Sequence, residues 1–413
     1  MEYWHLGRRI RARAGRMPRG KSLGEILLCL TLTWVALLAP RNASSQTAPP
    51  ESSPSPQLIP RTHAEREMRY KMEHRIILNV QVNGASGEPV SHLQEKDFTL
   101  LLDHQPHPLV SVRKANRDAT VTQAHVIILL DAINSSSRDL TEYRRGIGRF
   151  LGQSPSHLPY PISIAVLTNS GAAMSENSTN RDALLGDFKS LTHSLHAYSC
   201  ASEVNPNDPF MAVWMPGQVS TNSSVHMLSC MNERFKRSVV ALDRIAAQQV
   251  NIPGRAILIW IGSGWPLLYE KQFRPDDEAV KQDFFANLVR VSNALREGQV
   301  TLDMVSPSSL LRKTAELNTH DQAFINGVPG ETDVTSGSLS LEALAHQSGG
   351  QLLTSSKDLE TGIAQCAADA TSYYVLTFDV APAAKPDEFH ALTITVNKPS
   401  VTVRTSTMFY AEQ

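Results

Sequence analysis

The sequence predicts an α/β fold: a doubly wound, mostly parallel sheet flanked by a β module built from strands at both ends of the chain. Three observations lead there. The run His125-Val126-Ile127-Ile128-Leu129-Leu130 is unbroken and apolar and stops on Asp131, the pattern of a strand buried on both faces that ends at a loop. Between residues 120 and 371, apolar strand runs alternate with segments whose apolar residues fall at helical spacing, which implies right-handed crossovers and a sheet covered on both sides. On either side of that region the period drops to two, the signature of half-buried strands.

The elements follow in order. Ile76, Leu78, Val80 and Val82 alternate, Gly87-Glu88-Pro89-Val90 supplies turn chemistry, and Phe98, Leu100 and Leu102 alternate again, with Leu93 and Phe98 as the expected core plugs of a small module over 75–116. After strand 124–130, Leu140, Tyr143, Ile147, Phe150 and Leu151 share one helical stripe. Strand 162–167 and helix 183–191 come next, then a long polar stretch, 197–229, read as a loop before a helix that buries Phe235, Val239, Leu242, Ile245 and Ala246. Strand Ala256–Ile261 ends in Gly262-Ser263-Gly264, a helix places Val280, Phe284, Leu288, Val291 and Leu295 on one face, and strand 300–305, helix 339–347 and strand 351–353 complete the region. Residues 372–379, 392–396 and 401–409 read as strands, expected to pair with the N-terminal module in one composite sheet.

The N-terminus has its own logic. Seven basic residues from Arg8 to Lys21 precede an apolar stretch from Ile26 to Ala39 and then Ala43-Ser44-Ser45. Basic, apolar and small-residue regions in that order make 1–45 a signal peptide, and the stretch is short for a span of about 20 residues; a retained anchor is the alternative, and would be the chain's one membrane contact. Five prolines between Pro49 and Pro60, among Ser and Gln, mark 46–74 as a spacer with a charged segment. Export to the periplasm, cell envelope or medium is the expectation. It leaves Cys200, Cys230 and Cys366; Cys200 and Cys230 flank the polar loop and are the expected disulfide, which would constrain that loop in the unfolded chain. A net charge of −1 gives no field to hold phosphates, so nucleic acid is disfavoured.

Asp131 followed by Asn134, Ser135 and Ser136 offers hard oxygen ligands at a sheet edge, where a cation such as Mg²⁺ could sit. An N-cap before the next helix is the plainer reading of the same residues. Enzyme signatures are missing: Gly262-Ser263-Gly264-Trp265 lacks the full nucleophile elbow, and there is no His-Glu-x-x-His, phosphate-cradling glycine loop or repeated Cys-x-x-Cys.

The chain resembles the von Willebrand factor type A domain, in its exported, acidobacterial type. Gly87-Glu88-Pro89-Val90 through Leu93, Asp97-Phe98 and Asp103 is similar to that type's leading module; Asp131-Ala132-Ile133-Asn134-Ser135 to its version of the first metal motif; Pro253-Gly254-Arg255 to Gly264 to its next strand; and Tyr373-Tyr374 with Pro399 to Tyr410 to its closing strands. The resemblance implies a Rossmann-like A domain and a metal-ion-dependent adhesion site. Asp131 and Ser135 match the first Asp and last Ser of that site, Thr221 stands as a candidate second-loop ligand, Ile133 replaces the middle Ser, and Ser263 lies where a later Asp is expected. The implied site is degenerate, with no cofactor or only weakly bound Mg²⁺ or Mn²⁺.

These readings add up to an exported, non-enzymatic binding protein of adhesion or scaffold type. Its unidentified protein partner would meet the loops 131–138, 168–180, 197–230 and 262–275, with Asn134, Phe210, Met211, Trp214 and Trp265 as contacts. A structural part of an envelope assembly, contacting partners through its β modules, is the alternative, and an exported hydrolase using Ser263 a minor one.

Overall fold

The computed structural model describes residues 74–115, 124–198, 222–265, 278–306, 325–335, 337–354 and 358–411. The chain divides at Pro60, and every described residue belongs to the part after it. In chain order the strands are β1 (Arg75–Gly84), β2 (Phe98–Leu102), β3 (Gln105–His107), β4 (Ser111–Ala115), β5 (His125–Asp131), β6 (His157–Thr168), β7 (Gly171–Met174), β8 (Ser178–Asn180), β9 (Ala256–Ile261), β10 (Val300–Val305), β11 (Leu352–Leu353), β12 (Tyr373–Asp379), β13 (Glu388–Val396), β14 (Val401–Arg404) and β15 (Met408–Ala411). The helices are α1 (Ser137–Gln153), α2 (Arg181–Thr192), α3 (Asn222–Gln249), α4 (Glu278–Glu297), α5 (Leu341–Gln347) and α6 (Leu359–Ala368).

The central sheet runs β11-β10-β9-β5-β6-β7, with β8 also on β6. From β11 to β6 all neighbours are parallel, while β7 and β8 are antiparallel to β6. Alternation along β5 sends Ile127 and Leu129 to one face, against α3, α4 and α5, and Val126, Ile128 and Leu130 to the other, against α1, α2 and α6. All seven residues of β5 are buried, and each apolar side chain so buried is worth about 1.5–3 kcal/mol, which fixes the strand mid-sheet. The helices start where hydroxyl and amide caps sit: Ser136 Oγ accepts Asp139 N at 3.2 Å before α1, Asn180 Oδ1 accepts Asp182 N and Ala183 N at 2.9 and 3.0 Å before α2, and Ser340 Oγ accepts Ala343 N at 3.0 Å before α5.

The ends of the chain form two packed sheets, β14-β1-β12-β4 and β15-β13-β2-β3. The expected pairing of N- and C-terminal strands is present, β1 with β12 and β14 and β2 with β13, but in a two-sheet sandwich and not one composite sheet. Ile76, Leu78, Val80, Phe98, Leu100, Leu376, Phe378 and Ile394 fill the space between the sheets, with Leu93 packed at its margin. The single strand expected over 401–409 is two: β14 joins one sheet and β15 the other, and 405–407 cross between them, tied by Thr407 N to Gln347 O at 3.0 Å. Segment 168–180, expected as a presented loop, folds back as β7 and β8. Helix α3 begins at Asn222, inside the stretch expected as loop.

The sandwich shares a core with the α/β part. Met408 and Tyr410 of β15 belong to the same buried cluster as Phe285 and Leu288 of α4, Tyr410 stands edge-on to Phe285 at 5.7 Å, and its hydroxyl donates to Val328 O at 2.9 Å.

Candidate functional site at the carboxyl edge of the parallel sheet

The strand that follows β5, β6, lies on one side of it, while β9, β10 and β11 build outward on the other. The winding therefore reverses between β5 and β9, and the carboxyl ends of those two strands are where an open α/β sheet leaves its crevice. Here that crevice is filled by the protein itself.

Asp131 is 0% exposed. Its Oδ1 accepts Ile133 N and Asn134 N, both at 3.0 Å, and its Oδ2 accepts Asn134 Nδ2 at 2.7 Å and Trp260 Nε1 at 3.0 Å. Ser135 Oγ donates back to Asp131 O at 2.5 Å. Asn134 extends the knot, its Nδ2 also reaching Ser238 Oγ of α3 at 2.9 Å and its carbonyl accepting Ser263 Oγ at 3.1 Å. Burial raises the Asp131 pKa, and the donors from Asn134, Trp260 and Ile133 oppose that rise. Gly262 is required beside it, because a Cβ there would stand 2.9 Å from Asp131 Cβ.

A divalent cation does not fit these residues as arranged. A carboxylate offers about four lone-pair positions, and four N–H groups occupy them at Asp131. The Ser135 hydroxyl is turned to a backbone carbonyl. No group of three or more His, Cys, Asp or Glu suited to a metal occurs among the described residues. The carboxylate instead closes the loop between β5 and α1 and ties it to β9.

Trp260 is the member that sequence reasoning missed. As the fifth residue of an apolar strand it reads only as core; its indole N–H meets Asp131 because β5 and β9 are neighbours in register. Trp265, expected as a contact residue, is turned inward at 5% exposure: it stands edge-on to Trp260 at 5.4 Å and donates to Leu339 O at 2.8 Å. An indole beside a deep apolar cluster with a carbonyl in reach is more stable there than in water. Asn134 is half-buried. Thr221, Phe210, Met211, Trp214 and Cys200 lie outside the described residues; Cys230 is disulfide-bonded, and Cys366 is a free, buried thiol. The Ser263 hydroxyl has no imidazole or carboxylate partner among the described residues.

One step along the edge, between the ends of β5 and β6, lies a cavity of about 410 Å³ lined by Ala132, Thr168, Asn169, Leu195, His196 and Tyr198, among others. Tyr198 N donates to Ala132 O at 2.9 Å, and the guanidinium carbons of Arg234 and Arg237 on α3 stand 5.9 Å from the Tyr198 ring centroid. Burial and the neighbouring Glu233 push the Tyr198 hydroxyl up to about 12.

No protein-family model and no curated protein matches the sequence. Among solved structures the chain is similar to the manganese-loaded TRAP protein of Plasmodium vivax, at 8% identity and a TM-score of 0.31 over 71% of this chain and 96% of that one. It is similar to the SpRpn10 VWA domain at 10% identity and a TM-score of 0.25, over 59% and 94% of the two chains. It is also similar to the open pilus adhesin SpaC of Lactobacillus rhamnosus GG at 7% identity and a TM-score of 0.28, over 81% of this chain and 47% of that one.

Proposed function

We propose that this chain is an exported, non-catalytic protein-binding protein, of adhesion or scaffold type, that uses a von Willebrand factor A-like domain without needing a cation. The observation that carries this reading is the filled crevice: the position where an α/β sheet opens to a ligand is closed by Asp131, Asn134, Trp260 and Trp265. What the carboxyl edge offers instead is a surface, with Thr168, Asn169, His196 and Tyr198 around a shallow cavity. The basic and apolar N-terminal segment supports export, and a Cys200–Cys230 disulfide belongs to the same proposal.

Crosslinking of the full chain in its native cells tests it. Asn169→Glu with His196→Glu is expected to abolish the crosslinked partner, and chelation with EDTA to leave it unchanged; a partner lost on chelation overturns the cation-independent part. Calorimetric titration with Mg²⁺ and Mn²⁺ is expected to give no binding heat, whereas micromolar binding that Asp131→Ala abolishes would refute it.

A second reading keeps the partner but moves it to the sandwich. An open groove of about 590 Å³ runs along β2 and β3, lined by Lys96, Phe98, Thr99, Leu100, Pro106 and Leu109, among others. If Lys96→Glu with Thr99→Glu removes the partner and the carboxyl-edge pair does not, the envelope-assembly reading replaces the first.

A further inference from the structure

The seam between the sandwich and the α/β part contains more buried charge than any other place among the described residues. From the sandwich, Arg404 at the end of β14 reaches Asp369, just past α6, with Nη2 at 3.0 Å from Oδ1 and 2.7 Å from Oδ2. Asp369 also accepts Gln351 Nε2 at 3.1 Å. Beside this pair lies Asp303 in the middle of β10, 0% exposed. Its Oδ1 accepts Gln351 N at 2.7 Å, while its Oδ2 and Arg404 Nη1 are buried with no hydrogen-bond partner. Arg255, at the foot of β9 and 1% exposed, donates to Thr301 Oγ1 at 3.0 Å and to Gln81 Oε1 of the sandwich at 3.2 Å, with its guanidinium 5.2 Å from the centroid of the Tyr373 ring on β12.

The groups that face Asp303 can be named from each side. Asp369 and the Cys366 thiol come from the end of α6, Arg255 from β9 and Arg404 from β14; Tyr373 adds a phenol against Arg255, and β11 contributes only the neutral Gln351. Two guanidiniums thus lie beside two carboxylates, one of which, Asp303, has no N–H or O–H donor at Oδ2 and only the weak thiol of Cys366 nearby. A buried carboxylate oxygen in that state is stable only while it carries a proton or while water can reach it.

We propose that Asp303 is the proton-binding element of a latch between the sandwich and the α/β part: its protonated form holds the seam closed, and loss of that proton loosens it. Two effects compete at this carboxyl. Burial and Asp369 oppose the ion, and the Gln351 N–H, Arg404 and Arg255 favour it; burial is the largest, and the carboxyl is pushed up from 3.8 to about 7. The sign follows by linkage. A pKa raised in the closed form means that protons favour closure, so the latch is complete below about pH 4 and is lost as pH climbs through 7.

Hydrogen exchange of the full chain, corrected for intrinsic rates, tests this at pH 6 and pH 8. If the opened form titrates near 3.8 and the closed form near 7, opening at β14 and β1 is expected to be about tenfold more frequent at pH 8 than at pH 6. Asp303→Asn, which keeps the shape and removes the proton site, is expected to give the same protection at both pH values. Equal protection of the wild type at pH 6 and pH 8 overturns the proposal, as does a pH dependence that survives in Asp303→Asn. Should that variant not fold, carboxyl-carbon NMR of the wild type decides directly: a midpoint near 7 for Asp303 supports the latch and one below 5 overturns it.

Discussion

Asp131 and Trp260 show how one residue pair sets the character of the carboxyl edge. The carboxylate holds two backbone amides, one side-chain amide and one indole at once, so removing a single donor leaves a buried acceptor position empty. Trp260→Phe deletes the indole N–H and shrinks a fully buried ring, and is expected to cost about 2–5 kcal/mol, the lost hydrogen bond and the cavity together; denaturant midpoints at constant m-value check it. Asp131→Asn replaces one acceptor oxygen by a donor that faces the donors of Asn134 and Trp260, and is expected to cost about 1.5–3 kcal/mol without leaving a cavity. No measurable cost for Asp131→Asn would mean that the four contacts do not act on an ionised group. Asp131 stands out in the sequence because an apolar run stops on it. Trp260 does not, because its polar role depends on a strand that is 129 residues away and becomes a neighbour only on folding.

Elements whose order is encoded locally were legible. Ala256–Ile261 and Val300–Val305 are strands with the bounds that their apolar runs predict, and α1 begins after the Ser136 cap and buries the predicted stripe. What stayed hidden depends on distant partners. Residues 401–409 alternate evenly, so nothing local marks the change of sheet after Arg404; Gly349 does, because a φ of +80° and a would-be Cβ 2.4 Å from the Thr405 carbonyl carbon allow no side chain where the crossing strand meets the α/β part. Gly349→Ala is expected to lower stability by about 2–4 kcal/mol, from the left-handed backbone and the overlap together, read as a fall in Tm. At the opposite end of the sheet, His125 of β5 is 4% exposed and bonded through Nε2 to Gln249 Oε1 at the end of α3, at 2.8 Å. Burial lowers its pKa from 6.5. A lowered value means that stability is present above pH 6.5 and is lost as pH falls through the folded-state value. In a comparison of Tm between pH 7 and pH 5, His125→Gln is expected to lose less on acidification than the wild type; equal losses would show that the ring is not held neutral.

At the scale of the molecule, the β and α/β parts alternate along the sequence but share structure in space, and this decides how the chain unfolds. β12 stands between β1 and β4 in one sheet of the sandwich, and β13 holds β2 in the other. The C-terminal strands therefore flank β1 on both sides and β2 on one, β3 holding its other edge, while β15 gives Met408 and Tyr410 to the α/β core. Two parts joined by a common apolar cluster, by Arg404 with Asp369 and by Arg255 with Gln81 are expected to unfold as one. Far-ultraviolet circular dichroism, which follows the helices, and exchange at β1 and β12, which follows the sandwich, should give the same midpoint in denaturant. Ending the chain at Thr371 removes β12 to β15, strips Ile76, Leu78, Val80, Phe98 and Leu100 of the strands that cover them, and opens the Phe285 side of α4 where Tyr410 packs. That chain is expected to lack a cooperative transition and to aggregate through its exposed strand edges. A soluble, cooperatively unfolding product ending at Thr371 would show that the α/β part stands alone, and the seam at Asp303 and Arg404 would then be a docking contact between separate domains.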